Sequence, residues 1–211
     1  MSPNSFGNFE ISTILINTSF SKSNENSSET FQDFQNNRLV IAQRLAALSG
    51  DNSGDIDEFG FPIGFGKNNQ SVLIPAFISA YSGKNPESVS LNAISKTPLP
   101  NWSISYSGLM NFDFIKERFK RFSLGHAYRS SYTLNNFKSN LEYDSANTQL
   151  TDDSGNFINE FLYTNVNLVE QFNPLLKIDM ELNNSLQIVI SLKKYRALYL
   201  SLDNNLLTES Y

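Results

Sequence analysis

The chain has 211 residues, of which 40% are hydrophobic and only 18% charged, so it is neither a charged disordered tail nor a continuous apolar run. The formal net charge of −5 argues against a nucleic-acid-binding domain, which usually needs a basic face. No cysteine and a single histidine, His126, exclude disulfides, thiolate metal sites and any site built on two histidines. Ser and Asn form about a quarter of the chain and aromatic residues 13%, a composition typical of strands and loops.

The first half of the chain combines one strand with two helices. Residues 9–20 are apolar and β-branched and predict a strand, which a polar loop follows up to residue 30. Between Thr30, a possible N-cap, and Gly50, apolar residues recur at helical spacing and predict a helix over 31–49. The apolar stripe of this helix consists of Phe31, Phe34, Ile41, Leu45 and Leu48.

A second, shorter helix is predicted over residues 72–82. Pro75 lies inside it, so we expect this proline near the first turn, where its missing N–H is tolerated. Together with the glycine-rich loop 50–70, the two helices form a helical and loop insert over 31–100. It lies between a strand and polar loop over 1–30 and a β-rich segment over 101–211.

The β-rich segment alternates apolar and polar residues, as strands do. Residues 101–107 predict one strand and 123–137 another, with a short basic helical or turn segment over 112–121 between them. In the second of these strands one face carries Leu124, His126, Tyr128, Ser130, Tyr132 and Leu134.

The last fifty residues predict a meander whose register can be tested by parity. Only an odd number of loop residues brings the apolar rows of 176–182 and 186–192 onto one face, so we expect a three-residue turn. This turn pairs Met180 with Ile188 and places Asn184 or Ser185 in a left-handed conformation. The same test predicts a second turn over 194–196, which gives three antiparallel strands of about 9–11 residues each.

Two interpretations of this meander are open: a half-buried sheet of a soluble sandwich, or the wall of a transmembrane β-barrel, whose strands have this length. In the barrel, the lipid-facing residues would be Leu176, Ile178, Met180, Leu182, Leu186, Ile188, Ile190 and Leu192. The lumen-facing residues would be Lys177, Asp179, Glu181, Gln187, Ser191 and Lys193. The aromatic residues at the membrane interface would be Trp102, Tyr106, Tyr128 and Tyr132.

The sequence contains no recognisable catalytic constellation, and we expect neither an enzyme nor a cofactor. Asp51 and Ser53 begin a calcium-loop pattern, but Ile56 and Pro62 stand where such a loop needs Gly and Glu. The stretch around Asp152 fails in the same way. His126 lies on a strand without an identifiable partner, which favours a structural role. The basic run Lys116, Arg118, Lys120 and Arg121 is more typical of a solvated turn than of a phosphate site.

Four segments resemble one protein family. They are NNRLVIAQRLA (36–46), VLIPAFISAYSGK (72–84), LPNWSISYSGLMNFDFIKERFKRFSLGHAYRSSYTLNNF (99–137) and FNPLLKIDMELNNSLQIVISLKKYRALYLSL (172–202). In this order they are similar to the C-terminal part of the SprA/Sov family. This family comprises the outer-membrane translocons of type IX secretion and gliding motility in Bacteroidota. Lys177 departs from the pattern, which has a small residue there. The start lacks a signal peptide, and the chain is far shorter than a family member, so we expect a fragment.

The resemblance implies a mainly β fold: an antiparallel meander that forms part of a very large transmembrane barrel, with short helical inserts that cap or line its pore. It implies a protein-conducting channel, not an enzyme, at the surface of a Gram-negative cell. The implied partners are outer-membrane lipid, a PorV-like shuttle protein, a plug protein and secreted cargo with a C-terminal sorting domain. No nucleic acid is implied.

A different class of function is also compatible with the residues. A soluble β-rich surface adhesin or glycan-binding module would show the same alternation in its sheet. Aromatic residues exposed in a groove would favour that reading.

Overall fold

The computed structural model describes residues 5–21, 23–24, 27–50 and 54–210. Within these residues the protein is mainly antiparallel β-sheet with few helices, as predicted. The helices are α1 (Glu29–Ser49), α2 (Gln70–Ser82) and α3 (Asp113–Lys116), and two 3-10 turns cover Ile16–Thr18 and Gly108–Asn111. The strands are β1 (Phe6–Ser12), β2 (Ser23–Asn24), β3 (Ser27–Ser28), β4 (Trp102–Tyr106), β5 (Phe119–Ser139), β6 (Phe161–Leu162), β7 (Asn165–Leu182), β8 (Gln187–Ser201) and β9 (Leu206–Ser210).

The main sheet has seven strands, and its path runs β1–β5–β7–β8–β9. The short strands β4 and β6 both pair with β5, while β2 and β3 form a separate two-stranded sheet. Every pair is antiparallel. In the described part of the chain the sheet stays open, since its path ends at β1 on one side and at β9 on the other.

The register of the β7–β8 hairpin confirms the parity prediction. Met180 pairs with Ile188, and Ile178 with Ile190. The backbone N–H of Leu182 donates to the carbonyl oxygen of Leu186 at 2.9 Å and closes a three-residue loop. In that loop Ser185 has a φ of 69°, the left-handed conformation that an odd turn requires.

The second predicted turn, over 194–196, is wrong. Strand β8 continues without a break to Ser201, and Leu198 pairs with Leu168 of β7, not with Leu192. The chain turns only after Ser201, and β9 pairs with the last five residues of β8. Lys194 and Arg196 interrupt the even-numbered apolar row, which resumes with the same parity at Leu198. Parity alone therefore does not distinguish a turn from one longer strand. The predicted length of 9–11 residues is therefore too short for β7 and β8.

The N-terminal strand is also shorter than predicted. β1 ends at Ser12, and the chain then follows an irregular path into a 3-10 turn. A side chain of the sheet, and not a pairing strand, holds this path: the backbone N–H of Leu15 donates to the hydroxyl of Tyr128 at 2.8 Å. The segment after β1 is thereby fixed against the sheet without joining it.

Helix α1 confirms the prediction for 31–49, with corrections at its start and along its stripe. The hydroxyl of Ser28, and not of Thr30, accepts the cap hydrogen bond from the N–H of Phe31. Phe34 and Ile41 are buried as predicted, whereas Phe31 and Leu48, near the two ends of the helix, are 37% and 76% exposed.

Helix α2 is the most buried element and begins two residues before its predicted start. Asn69 caps it by accepting a hydrogen bond from the N–H of Ser71 at 2.9 Å. Pro75 therefore lies in the second turn, further from the start than predicted. The core is formed where α1 and α2 pack together and cover one half of one sheet face.

Candidate functional site

One face of the sheet carries apolar side chains along its whole length, but the helices cover only part of it. In the covered half, the even-numbered residues of β5, β7 and β8 are almost fully buried against the insert. These residues are Tyr132, Leu134, Val166, Leu168, Leu198 and Leu200. This half has the packing of an ordinary soluble core.

The other half of the same face is uncovered. Here the residues predicted to face lipid are partly or fully exposed; Ile190 is 47% exposed and Leu192 54%. The register places them side by side in cross-strand pairs, with Leu176, Ile178, Met180, Leu182, Leu186, Ile188, Ile190 and Leu192 in one surface. We call this surface the hairpin row. Soluble monomers rarely leave such a contiguous apolar patch uncovered.

Neighbouring strands widen the hairpin row. Leu124 of β5 lies beside Ile178, and Phe122 lies beside Met180. Tyr106 of β4 in turn lies beside Leu124 and is 51% exposed. The exposed apolar surface therefore extends across four strands, β4, β5, β7 and β8.

The opposite face of the same hairpin is polar and charged. Asp179 forms ion pairs with Arg121 at 3.0 Å and with Lys177 at 3.5 Å, and Lys120 lies 4.0 Å from Glu181. The remaining predicted lumen residues, Gln187, Ser191 and Lys193, are exposed on β8. Val189 is the apolar exception on this face, at 57% exposed. Exposed ion pairs of this kind contribute little to stability, but their charged groups are those of a solvated surface.

The four predicted interfacial aromatic residues separate into two groups. Tyr106 is exposed and Trp102 half-buried, with the Trp102 ring stacked on Tyr128 at 4.6 Å between centroids. Tyr128 and Tyr132 are buried at 0% and 3% exposure, so neither ring can contact a lipid interface. That part of the prediction is wrong, because the segment after β1 and Trp102 cover Tyr128 and the insert covers Tyr132.

A buried ion pair, which the sequence analysis missed, lies where the covered half of the sheet ends. Glu170 of β7 and Arg196 of β8 are cross-strand neighbours, 1% and 2% exposed. Their closest atoms, Oε2 and Nη2, are 3.2 Å apart. Arg196 also donates to the carbonyl oxygen of Thr18 at 2.8 Å, and thereby binds the segment after β1 to the sheet.

Two hydroxyl groups complete this buried network. Tyr128 and Ser19 both donate to Oε1 of Glu170, at 2.8 Å and 2.6 Å. Burial raises the pKa of Tyr128 well above its ordinary value, and the negative charge of Glu170 raises it further. The network is closed off from solvent and supports the fold. The sequence signal that could have revealed this network is the position of Glu170 and Arg196. Each is a charged residue at an even-numbered position of a strand whose other even-numbered residues are mostly apolar.

The remaining candidates from the sequence have local structural roles. Nδ1 of His126 lies 2.7 Å from the carbonyl oxygen of Leu175. The carboxylate of Asp152 accepts hydrogen bonds from the N–H groups of Ser154 and Asn156 within its own turn. Asp51 and Ser53 lie outside the described residues. Across the described ranges, no three His, Asp or Glu side chains are grouped so that they could hold a metal ion.

No helix in the described part of the chain is both long and apolar enough to cross a membrane. The chain matches no model of a known protein family and no curated protein.

Proposed function

We propose that this chain forms part of the wall of an outer-membrane protein-conducting channel. The observation that carries the proposal is the hairpin row: an uncovered apolar surface backed, on the other face of the same strands, by ion pairs and exposed polar groups. A strand that separates lipid from a water-filled lumen needs this division. The lipid-facing and lumen-facing assignments of the sequence analysis are kept for the residues of this hairpin.

The length of the uncovered region supports the proposal. The exposed part of the hairpin runs over residues 174–182 and 186–194. A tilted strand crosses a bilayer in about 9–11 residues. The helical insert covers the rest of the same face and would lie as a cap at one end of the membrane-crossing part.

The free edge of β8 supports a larger barrel. Among the described residues, Gln187 to Arg196 pair with β7 alone, and β9 pairs with β8 from Ala197 onwards. Unpaired backbone N–H and C=O groups cost several kcal/mol each in hydrocarbon. Inside a membrane this edge needs a neighbouring strand, and a very large closed barrel supplies one.

The type of channel is proposed from the family resemblance over 36–202. On that basis the channel exports folded cargo with a C-terminal sorting domain by type IX secretion and supports gliding motility. It works with a PorV-like shuttle protein and a plug protein. The chain contributes wall surface to this channel and no catalytic group.

Arginine substitutions in the bacterium that produces the protein test this proposal. Ile188→Arg and Ile190→Arg place a charge in the hairpin row and should cost about 2–4 kcal/mol near the bilayer midplane. The amount of channel in the outer membrane and the export of cargo should both fall. The matched controls Gln187→Arg and Ser191→Arg on the polar face should leave both near the normal level. Normal export by both apolar-face variants would contradict the proposal.

A further inference from the structure

A groove of about 440 Å³ lies on the polar face of the sheet, opposite the hairpin row. It crosses the start of β4 and the middle of β5 and β7. The side chains that shape it are Asn101, Ser103, Ala127, Arg129, Gln171 and Asn173. The volume lies within the roughly 300–1,000 Å³ typical of small-molecule sites.

Side-chain size and strand pairing explain why a groove forms here. Ser103 and Ala127 are cross-strand partners and form a floor of small side chains. The pairing of β5 with β7 is interrupted between Gly125 and Tyr128, which opens the sheet beside that floor. Arg129 and Gln171, themselves cross-strand partners, provide the long side chains of the rim.

The charge of the groove is unbalanced. Arg129 is exposed and has no ion-pair or hydrogen-bond partner within the described residues. On the same face the cations of Lys120, Arg121 and Lys177 all lie within 4.0 Å of a carboxylate. Of the residues that the structure describes, no Asp or Glu lines the groove.

Uncharged polar groups surround this free guanidinium. The side chains of Ser103, Gln171 and Asn173 have no hydrogen-bond partner in the described part of the protein, and all three line the groove. Oδ1 of Asn101 accepts a hydrogen bond from the backbone N–H of Ser130 at 2.9 Å. This bond fixes the orientation of the side-chain amide and therefore of its two N–H donors. The groove therefore offers one planar cation together with three side-chain amides and one hydroxyl group.

We propose that this groove binds an acidic saccharide, a sugar that carries a carboxylate. The guanidinium of Arg129 has the fork geometry that binds a carboxylate through two parallel hydrogen bonds. The amide and hydroxyl groups match the donors and acceptors of sugar hydroxyl groups. This ligand site does not depend on the channel function, because a soluble sheet and a barrel wall would both expose the polar face.

Calorimetric titration of the purified intact protein with digalacturonic acid tests the inference, with a neutral galactose disaccharide as the comparison ligand. The acidic disaccharide should bind at least tenfold more tightly than the neutral one. Arg129→Gln should weaken its binding by about 10–100-fold, as loss of a charge-assisted hydrogen bond does. The matched control is Arg118→Gln, which removes an exposed arginine outside the groove and should leave binding unchanged.

A second variant and a second ligand separate the alternatives. Ala127→Leu fills the floor of the groove and should abolish binding while circular dichroism shows an intact sheet. Equal binding of the acidic and neutral disaccharides would overturn the inference, as would unchanged binding by Arg129→Gln. If inorganic phosphate at the same ionic strength displaced the acidic disaccharide with equal affinity, the site would be a phosphate site and the saccharide assignment would fall.

Discussion

Replacing Arg196 with methionine should be among the most damaging single changes in the covered half of the sheet. The change leaves Glu170 charged and only 1% exposed, without the cation 3.2 Å away. It also removes the donor to the carbonyl oxygen of Thr18. Removing one partner of a buried ion pair typically destabilises a protein by about 3–5 kcal/mol, since the other charge stays buried and uncompensated.

The double variant Arg196→Met with Glu170→Met distinguishes this explanation from a loss of packing. With both charges gone, no uncompensated charge remains, and methionine fills a similar volume. The double variant should therefore cost no more than Arg196→Met alone, about 3 kcal/mol less than the sum of the two single variants. The hydroxyls of Tyr128 and Ser19 lose Glu170 as acceptor but keep hydrogen bonds to the backbone of Leu15, and the carbonyl oxygen of Thr18 keeps the N–H of Ser21. Each hydrogen bond that is lost costs about 1 kcal/mol.

Urea unfolding followed by tryptophan fluorescence measures these free energies. Trp102 is the single tryptophan of the chain and stacks on Tyr128, whose hydroxyl binds Glu170, so its emission reports on the network. The midpoints and slopes of the four proteins give the coupling energy. Strictly additive effects of the two single changes would refute the reasoning, because additivity means that the two charges do not stabilise each other in the folded protein.

Two further predictions concern the covered half and the loops beside it. Gly64→Ala should destabilise the protein by roughly 2–4 kcal/mol, because Gly64 has a φ of 85° and a Cβ there would overlap the ring of Phe157. Gly60→Ala, at a φ of 82° with open space around it, should cost only about 1–2 kcal/mol in thermal unfolding, and equal losses would contradict the overlap. Burial raises the pKa of Tyr128 and Tyr132 above the value of about 10 for an exposed tyrosine. Because the folded protein favours the neutral phenols, their contribution to the free energy of unfolding is fully present below pH ~10. This contribution is lost as the pH rises further. In an ultraviolet absorbance titration these two of the nine tyrosines should ionise only as the protein unfolds, and reversible ionisation of all nine near pH ~10 in the folded state would contradict this.

The parts of the fold that local pattern determines could be predicted from the sequence. The β7–β8 register follows from the parity of two apolar rows, and Ser185 takes the left-handed conformation that this parity demands. Helix α1 follows from its spacing and from Gly50, which ends it at a φ of 75°. In each case the residues that decide the structure lie within one turn or one strand pair.

The errors arise where distant residues decide the outcome. Lys194 and Arg196 resemble a turn, yet Arg196 is buried because its partner, Glu170, lies on the neighbouring strand. Tyr128 and Tyr132 alternate like exposed girdle residues, but distant segments bury them, the one after β1 over Tyr128 and the insert over Tyr132, and no local pattern encodes this. The groove at Arg129 depends on an interruption of pairing between β5 and β7, and it has no signature in either strand alone.

The measurement that tests the channel-wall proposal most directly is the accessibility of spin labels on β8, with the protein in its native outer membrane. The chain has no cysteine, so Ile190→Cys and Gln187→Cys each give a single labelling site in it. A label at 190 should be accessible to oxygen, which dissolves in lipid, and protected from a polar nickel chelate. A label at 187 should show the reverse preference. Protection of position 190 from both agents would indicate a covered core, and equal access of both positions to the nickel chelate would contradict a lipid-facing hairpin row.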